Sequence, residues 1–415
     1  MMAGGVAQGG LALPICPPVR VRRACATGAV PSASTPAGPE DTWGGQAPVL
    51  PRGGALAGGL AASWVASLRE SYGGASASAA PLDDASLTSL LLPHARRLSV
   101  PPVSRFPVGA VGLGESGRCY LGANLELRGL PLSHSVHAEQ ALVASAMRAG
   151  ETRLTWVATT APPCGHCRQF LNELGGSDGL QLVAPGFGVG SRAGKGDART
   201  RGVALPVLLP HRFGPEDLLG EGHRGLLSHG PLRVELEVGD LHTARGDAAG
   251  TRGDADVRDA AREEARAAAF DAARLSYAPY TGCPSGVSVV LADGRVFSGS
   301  YVECAAYNPS LPPLQAALSA AVIDGGCLTP PPLGDARCDG GGGDGEDAVR
   351  DFRSRAVGTV DWASPGSPAR IVHACVVERH GAEIAQTPTV RLVLGEIAPG
   401  CSVEVCGLRL LSDKG

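Results

Sequence analysis

The sequence predicts an α/β protein in which one domain is present twice, and three observations support this prediction. Short strand patterns alternate with helical periodicity from residue 106 onward, which is typical of the α/β class. The strand, turn and strand of residues 108–121 return at residues 284–297, and similar five-residue segments follow at 122–126 and 299–303. A glutamine comes after each segment at a similar offset, as Gln140 and Gln315. We therefore expect a duplicated three-layer α/β/α fold.

The order of composition and periodicity along the chain predicts five segments. They are a tail at 1–54, an N-terminal helical region at 55–105, a first α/β domain at 106–220, a linker or insertion at 221–263, and a second domain at 264–415. The helical region has apolar residues at helical spacing in 55–72 and 82–98. Flexible insertions rich in glycine and charged residues are expected at 188–201, 239–259 and 334–347.

Within the first domain the predicted order is hairpin, helix, strand, helix. The hairpin joins 108–113 to 118–121, and it is followed by a helix at 137–148, a strand at 155–159 and a helix that begins near Cys164. Gly112, Gly114 and Gly117 spell G-x-G-x-x-G, but they lead into a strand and are assigned to the hairpin turn instead of a dinucleotide site. Alternating apolar residues at 370–411 predict additional strands at the end of the second domain.

Charge and composition exclude several classes of protein. The net charge of −4 argues against a protein that grips nucleic-acid phosphates, and no apolar run is long enough to cross a bilayer. Most of the 12 cysteines are widely scattered, which favours free thiols in a reducing intracellular compartment. The first 39 residues contain three arginines and no Asp or Glu, which fits either an organellar (plastid or mitochondrial) transit peptide or a disordered tail, in which case the protein is expected in the cytoplasm.

Four residues carry the chemistry of the first domain. Cys164 and Cys167 lie one helical turn apart, and a helix N-terminus lowers the pKa of thiols in its first turn. Together with His137 they make three zinc ligands, the number that leaves one position of a catalytic zinc site open to water. Glu139, two residues from His137, is placed to shuttle protons beside that water.

Two other interpretations of these residues remain at this point. A C-x-x-C pair can be a redox pair, although no thioredoxin-like context is evident around Cys164 and Cys167. A closed structural zinc site could recruit His134 or His166 as a fourth ligand, but it would leave Glu139 without a role. We expect the side chain of His166 to point off the ligand face.

H-x-E followed by P-C-x-x-C is the signature of zinc nucleobase deaminases, and it is present as His137 to Glu139 and Pro163 to Cys167. The chain resembles nucleoside cytidine deaminases, and in particular their long, two-domain, homodimeric type. The resemblance covers most of residues 55–330. Its segments are 106–110, 122–126, 136–140, 163–174 and 213–218 in the first copy, and 284–286 and 308–315 in the second.

The resemblance implies hydrolysis of cytidine and deoxycytidine in pyrimidine salvage, with one Zn²⁺ per chain. It implies that Asn124 and Glu126 hydrogen-bond the ribose hydroxyls, since an amide and a carboxylate can both do so. It also implies that Phe106 packs against the pyrimidine and that the backbone N–H of Ala138 contacts the base carbonyl. The expected partners are therefore a small nucleoside and a second copy of the chain, and neither a membrane nor nucleic acid.

The second copy departs from the catalytic pattern. The positions of His137 and Glu139 align near Pro312 and Leu314, and no P-C-x-x-C follows. Proline cannot ligate zinc, so this copy is expected to be a degenerate domain without a metal. Two alternative functions stay open from sequence alone: deamination of cytosine in a polynucleotide, and a zinc-binding scaffold without activity.

Overall fold

The computed structural model describes residues 59–72, 81–187, 201–237, 252–327 and 359–411 of the chain. The predicted tail at 1–54 and the predicted insertion at 334–347 lie outside these residues, as do most of the insertions at 188–201 and 239–259. None of the described helices is both long enough and apolar enough to cross a membrane.

Two helices precede the first sheet. They are α1 (Ala62–Tyr72) and α2 (Asp84–Arg97), both inside the predicted N-terminal helical region. Helix α2 begins at a good N-cap, because the Asp83 carboxylate accepts a hydrogen bond from the Ser86 N–H at 2.7 Å. This helix packs on strands of the first sheet, so it is a layer of the first α/β unit and not a separate region.

The first sheet has five strands in the order β2-β1-β3-β4-β5. The strands are β1 (Gly109–Gly114), β2 (Cys119–Ala123), β3 (Leu154–Thr159), β4 (Gln181–Val183) and β5 (Val203–Ala204). Strands β1 and β2 form the predicted antiparallel hairpin, and β3 pairs antiparallel with β1 and parallel with β4. All six residues of β1 are buried, because α2 packs against this strand and so does α3 (Ala138–Arg148).

Helix α4 (Gly165–Leu171) follows β3, as the sequence predicts, and short helices α5 (Leu205–Leu208) and α6 (Pro215–Leu219) close the first unit. Strand β6 (Val234–Leu236) and helix α7 (Arg252–Leu275) then lead into the second unit. The start of α7 corrects the predicted linker, which extends to residue 263. The charged residues there look like a loop in the sequence, yet they continue the helix whose buried stripe is Ala265, Ala269 and Ala273.

The second sheet repeats the arrangement of the first in the order β6-β10-β9-β7-β8. Its further elements are β7 (Ser285–Leu291), β8 (Val296–Ser300), α8 (Pro313–Ile323), β9 (Ile371–Arg379), α9 (Thr387–Ile397) and β10 (Ser402–Leu410). The hairpin β7-β8, the antiparallel pair β7-β9 and the parallel pair β9-β10 correspond to the pairs of the first sheet. The predicted duplication is confirmed, and each unit is of the α/β class.

One close approach between a helix and a strand is the same in both units. A side chain at Gly122 of β2 would place its Cβ 2.1 Å from the Ala138 carbonyl oxygen of α3. At Gly299 of β8 the Cβ would lie 2.5 Å from the Pro313 carbonyl oxygen of α8. Glycine is required at both positions because only a bare backbone lets the first turn of each helix rest on the sheet.

The end of the second unit differs from the sequence prediction of strands throughout 370–411. Strands β9 and β10 are present, but helix α9 lies between them. Its buried residues Val390, Val393 and Leu394 have i, i+3, i+4 spacing, which is the periodicity of one helix face.

Candidate active site

His137 is the last residue of the loop in front of helix α3. Its backbone is extended, with φ −81° and ψ 154°, and the helix begins at the next residue, Ala138. The Gln140 side chain accepts a hydrogen bond from the His137 N–H at 3.1 Å, which fixes the residue in front of the first turn. Glu139 follows inside that turn and is only 4% exposed. The predicted ligand and the predicted proton shuttle are therefore both held by the start of one helix.

The two cysteines belong to the start of helix α4. Cys164 is the N-cap residue and Cys167 lies in the first turn, with Cys164 exposed and Cys167 buried. Arg168 ties down the loop before them, because its Nε donates to the Pro163 carbonyl at 2.8 Å and its Nη1 donates to the Leu208 carbonyl at 3.0 Å. The sequence prediction of a helix starting at this pair is confirmed.

The atoms of the three predicted ligands converge. The Nδ1 atom of His137 lies 3.6 Å from Sγ of Cys164 and 3.3 Å from Sγ of Cys167. Tetrahedral zinc with ordinary Zn–N and Zn–S bond lengths would separate a nitrogen and a sulfur ligand by about 3.6 Å. One imidazole and two thiols at these distances fit a zinc ion in both donor chemistry and spacing.

His166 is nearer to this cluster than the sequence predicts. A ligand atom of His166 lies within 4.8 Å of those of His137, Cys164 and Cys167, and its ring stacks on the His137 ring at 5.0 Å. The expectation that it points off the ligand face is wrong, because its ligand atom belongs to this cluster. Its Nε2 lies 3.3 Å from the carbonyl oxygen of Asn308, in the second unit. Its Nδ1 is buried without a hydrogen-bond partner. A contact between residues 142 positions apart in sequence could not be read from local periodicity.

The pKa values of the thiols and the carboxyl group differ from their ordinary range. Hydrogen bonds from Cys167 and then from His137 lower the pKa of Cys164 to about 3. The same bond to the Cys164 thiolate raises the pKa of Cys167, and burial adds to that effect. Burial also raises the pKa of Glu139. The site therefore combines a ready thiolate with a carboxyl group that is shielded from bulk water.

The side chains that are predicted to bind the ribose make hydrogen bonds to the backbone of a neighbouring loop. Oδ1 of Asn124 accepts from the Val108 N–H at 2.9 Å, and Nδ2 donates to the Phe106 carbonyl at 3.0 Å. These bonds fix the loop that carries the Phe106 side chain, which is 49% exposed. The side chain of Phe106 is thus about half exposed to solvent.

Glu126 fixes the same loop one turn earlier. Its Oε2 accepts from the N–H groups of Val103 and Ser104 at 2.9 and 2.8 Å, and its Oε1 accepts from the Ser104 hydroxyl. Sequence reasoning missed Ser104. The sequence repeat could have identified this residue, because Thr281 stands at the matching position of the second unit. There the Glu303 carboxylate accepts from the N–H groups of Tyr280 and Thr281 and from the Thr281 hydroxyl.

The second unit lacks the chemical groups of the first. Pro312 is the N-cap residue of α8, as His137 is of α3, and Leu314 is fully buried where the first unit has Glu139. In the parts of the chain that the structure describes, the cluster around His137 is the one group of His, Cys, Asp and Glu side chains with metal-binding spacing. The prediction of one active and one degenerate copy agrees with this arrangement.

Comparison with known proteins places both units in one family of sequences. Two family models, each described as the zinc-binding region of cytidine and deoxycytidylate deaminases, match residues 83–179 and 205–329. Cytidine deaminase 1 of Arabidopsis thaliana is 38% identical over 320 residues, which cover 77% of this chain and 89% of that protein. The cytidine deaminase of Aeromonas salmonicida is 40% identical over 245 residues, which cover 59% of this chain and 70% of that protein. A crystal structure of the Mycobacterium tuberculosis cytidine deaminase is 32% identical, with a TM-score of 0.24, over 29% of this chain and 89% of that one.

Proposed function

This chain belongs to the family of cytidine and deoxycytidylate deaminases, and we propose that it hydrolyses cytidine to uridine and ammonia at the cluster of His137, Glu139, Cys164 and Cys167. The observation that carries this proposal is the convergence of one imidazole nitrogen and two sulfur atoms beside a buried carboxyl group. We extend the proposal to 2′-deoxycytidine and to a role in pyrimidine salvage.

His137, Cys164 and Cys167 would hold one zinc ion per chain. When bound, zinc supplies a Lewis acid that lowers the pKa of a water molecule towards neutrality. Three protein ligands leave a position for that water, whereas His166 as a fourth ligand would close the site. The bond between Nε2 of His166 and the Asn308 carbonyl holds this ring to the second unit, which favours three ligands.

Glu139 acts as the proton shuttle in this proposal. Its carboxylate takes a proton from the attacking water and delivers it to N3 of the pyrimidine, so that C4 becomes more electrophilic. The attack on C4 gives a tetrahedral adduct. The same carboxylate then takes the proton of the new C4 hydroxyl and passes it to the amine, so that the C4–N bond breaks, the C4 carbonyl forms and ammonia leaves. Its position inside the first turn of α3, 4% exposed, keeps bulk water from exchanging these protons.

Asn124, Glu126, Phe106 and Ala138 would bind the nucleoside. A carboxylate has about four acceptor positions, and the loop at residues 103 and 104 occupies three of those of Glu126. One position is left for a ribose hydroxyl, and the Asn124 amide likewise keeps one N–H and one lone pair. The exposed Phe106 ring would pack against the pyrimidine, and the N–H of Ala138 at the start of α3 would donate to the base carbonyl.

We also propose that the chain acts as a homodimer inside the cell, either in the cytoplasm or in an organelle addressed by its first 39 residues. These statements depend on the resemblance to the long, two-domain deaminases and on the composition of the tail.

The test is the ultraviolet absorbance change of cytidine and of deoxycytidine with the purified protein, beside a Glu139→Gln variant. We expect turnover by the parent and a loss of kcat of at least about 10²-fold in the variant, with the zinc content unchanged. A zinc-loaded parent that turns over neither nucleoside would overturn the proposal. Binding of single-stranded RNA in a gel shift would then point to a polynucleotide substrate, and its absence to a scaffold or to a site closed by His166.

A further inference from the structure

Helices α3 and α8 pack against each other where the two units meet, which we call the join, and each helix contributes a buried glutamine at the same position. Gln140 is 2% exposed and Gln315 is 1% exposed. Each lies three residues after the N-cap residue of its helix, which is His137 in one unit and Pro312 in the other. The two side chains can therefore be compared as equivalent residues in different chemical surroundings.

Gln140 uses both ends of its amide. Oε1 accepts from the His137 N–H at 3.1 Å, and Nε2 donates to the Pro309 carbonyl oxygen at 2.9 Å. The side chain thereby connects the backbone of a proposed zinc ligand to the loop in front of α8, 169 residues away in sequence.

Gln315 reaches across the join in the opposite direction. Its Nε2 lies 3.3 Å from Nδ1 of His134, the residue that corresponds to Pro309 in the loop in front of α3. Its Oε1, in contrast, is buried without a hydrogen-bond partner. The reason is that Pro312 has no N–H, so the bond that Gln140 makes to His137 has no counterpart in the second unit.

The loop that receives Gln140 is itself held against both ligand helices. We name residues Ala305 to Pro309 the brace loop. Besides the bond from Gln140, its Asn308 carbonyl contacts the His166 ring of α4, and its Ala305 N–H donates to the Glu173 carboxylate at 2.8 Å, just beyond α4. Tyr307 adopts φ +60°, a conformation that is costly for a residue other than glycine and persists only where its surroundings fix it.

We propose that Gln140 is a positioning residue, which fixes the His137 backbone against the brace loop and so lets the degenerate unit help to hold the zinc ligand. This inference rests on the proposed function, because it assumes that His137 binds zinc. Gln140 bonds the backbone of His137 and not its ring, so it acts through that residue. Partners that orient a metal ligand typically account for 10- to 100-fold in metal affinity.

The test compares Gln140→Leu with Gln315→Leu in the full-length chain. Both variants lose a buried bond across the same join, but only the first loses the anchor of His137. Zinc affinity is measured by competition with a chromogenic chelator, and thermal unfolding is followed in parallel. We expect zinc affinity to fall by about 10-fold or more in Gln140→Leu and to stay within about 2-fold of the parent in Gln315→Leu.

Equal zinc affinities of the two variants would overturn the inference, since a merely structural role lowers the unfolding temperature of both and leaves zinc affinity unchanged. If Gln140→Leu does not fold, the pair Gln140→Glu and Gln315→Glu decides by the same criterion. Gln140→Glu places an oxygen against the Pro309 carbonyl oxygen and so breaks the link to the brace loop, whereas Gln315→Glu faces Nδ1 of His134, which can donate in its other tautomer. Cytidine turnover by the parent is measured separately. A parent that binds zinc without turnover would refute the proposed function, while the comparison of zinc affinities would still decide the role of Gln140.

Discussion

The carboxylates of Glu126 and Glu303 make the same three hydrogen bonds in the two units, and this repeat allows a controlled experiment. Glu126 accepts from the N–H groups of residues 103 and 104 and from the Ser104 hydroxyl. Glu303 accepts from the N–H groups of Tyr280 and Thr281 at 2.9 and 3.2 Å and from the Thr281 hydroxyl. We consider Glu126→Gln and Glu303→Gln, which keep shape and remove charge.

The structure predicts that Glu303→Gln lowers the free energy of unfolding more than Glu126→Gln does, and that Glu126→Gln weakens substrate binding more than Glu303→Gln does. A hydrogen bond to a charged group contributes about 1 kcal/mol more than a neutral one, so three such bonds set an upper limit of about 3 kcal/mol. Glu303 is 2% exposed and should lose most of this amount. The bonds of Glu126 are made to the exposed loop at residues 103 and 104, so we expect a loss of only about 1 kcal/mol in Glu126→Gln.

Of these two carboxylates, only Glu126 should affect substrate binding, because Glu303 belongs to the unit without the proposed zinc ligands. Replacing an ionic acceptor of a ribose hydroxyl by a neutral one costs about 1.4 kcal/mol, which is a 10-fold rise in KM for cytidine. Urea unfolding and steady-state kinetics of the parent and both variants check this prediction. An equal rise of KM in Glu303→Gln would refute the ribose assignment, and an equal loss of unfolding free energy in Glu126→Gln would refute the argument from exposure.

Three further predictions concern charge and metal. The His373 and Arg266 side chains lower the pKa of buried Glu404 to about 2. The ionised group therefore contributes about 3 kcal/mol to the free energy of unfolding above about pH 4.5, and this contribution is lost as the pH falls towards 2. The unfolding free energy of Glu404→Gln should not show this decrease between pH 4.5 and pH 2. Arg148→Leu leaves Asp324, whose side chain is 6% exposed, without its charged partner and should cost about 3 kcal/mol in urea unfolding, more than Asp324→Asn does. Dialysis against a strong chelator should abolish deamination and lower the unfolding temperature, and added Zn²⁺ should restore both; activity that persists in metal-free protein would contradict the zinc assignment.

Local sequence patterns predicted what depends on local periodicity. The hairpin β1-β2, the helix after His137 and the helix after Cys164 follow from alternation, helical spacing and turn residues, and the structure has all three. The prediction of strands throughout 370–411 was wrong at residues 387–397, because their apolar residues fit the alternation of a strand as well as the periodicity of a helix. Only the packing of Val390 and Val393 distinguishes the two structures.

Contacts between the two units could not be predicted in the same way. The Gln140 side chain meets Pro309, and the His166 ring meets Asn308, through bonds that span more than a hundred residues. No periodicity encodes such a pairing. The repeat itself was the usable signal, since Gln140 and Gln315 stand at matching positions, and a polar residue kept at a buried position in both copies implies a partner across the join.

The duplication also separates residues that maintain the fold from those that carry chemistry. Positions that keep a helix on its sheet or a loop on its strand have the same residue in both units. Gly122 matches Gly299, and Glu126, for which a ribose contact is proposed in addition, matches Glu303. At the position of Glu139 the second unit has Leu314, which is fully buried. Burial raises the pKa of a carboxyl group because the charged form is costly away from water, so leucine is the better residue wherever packing alone decides. A buried glutamate in one copy against a leucine in the other is therefore the pattern expected when a carboxylate is kept for its chemistry.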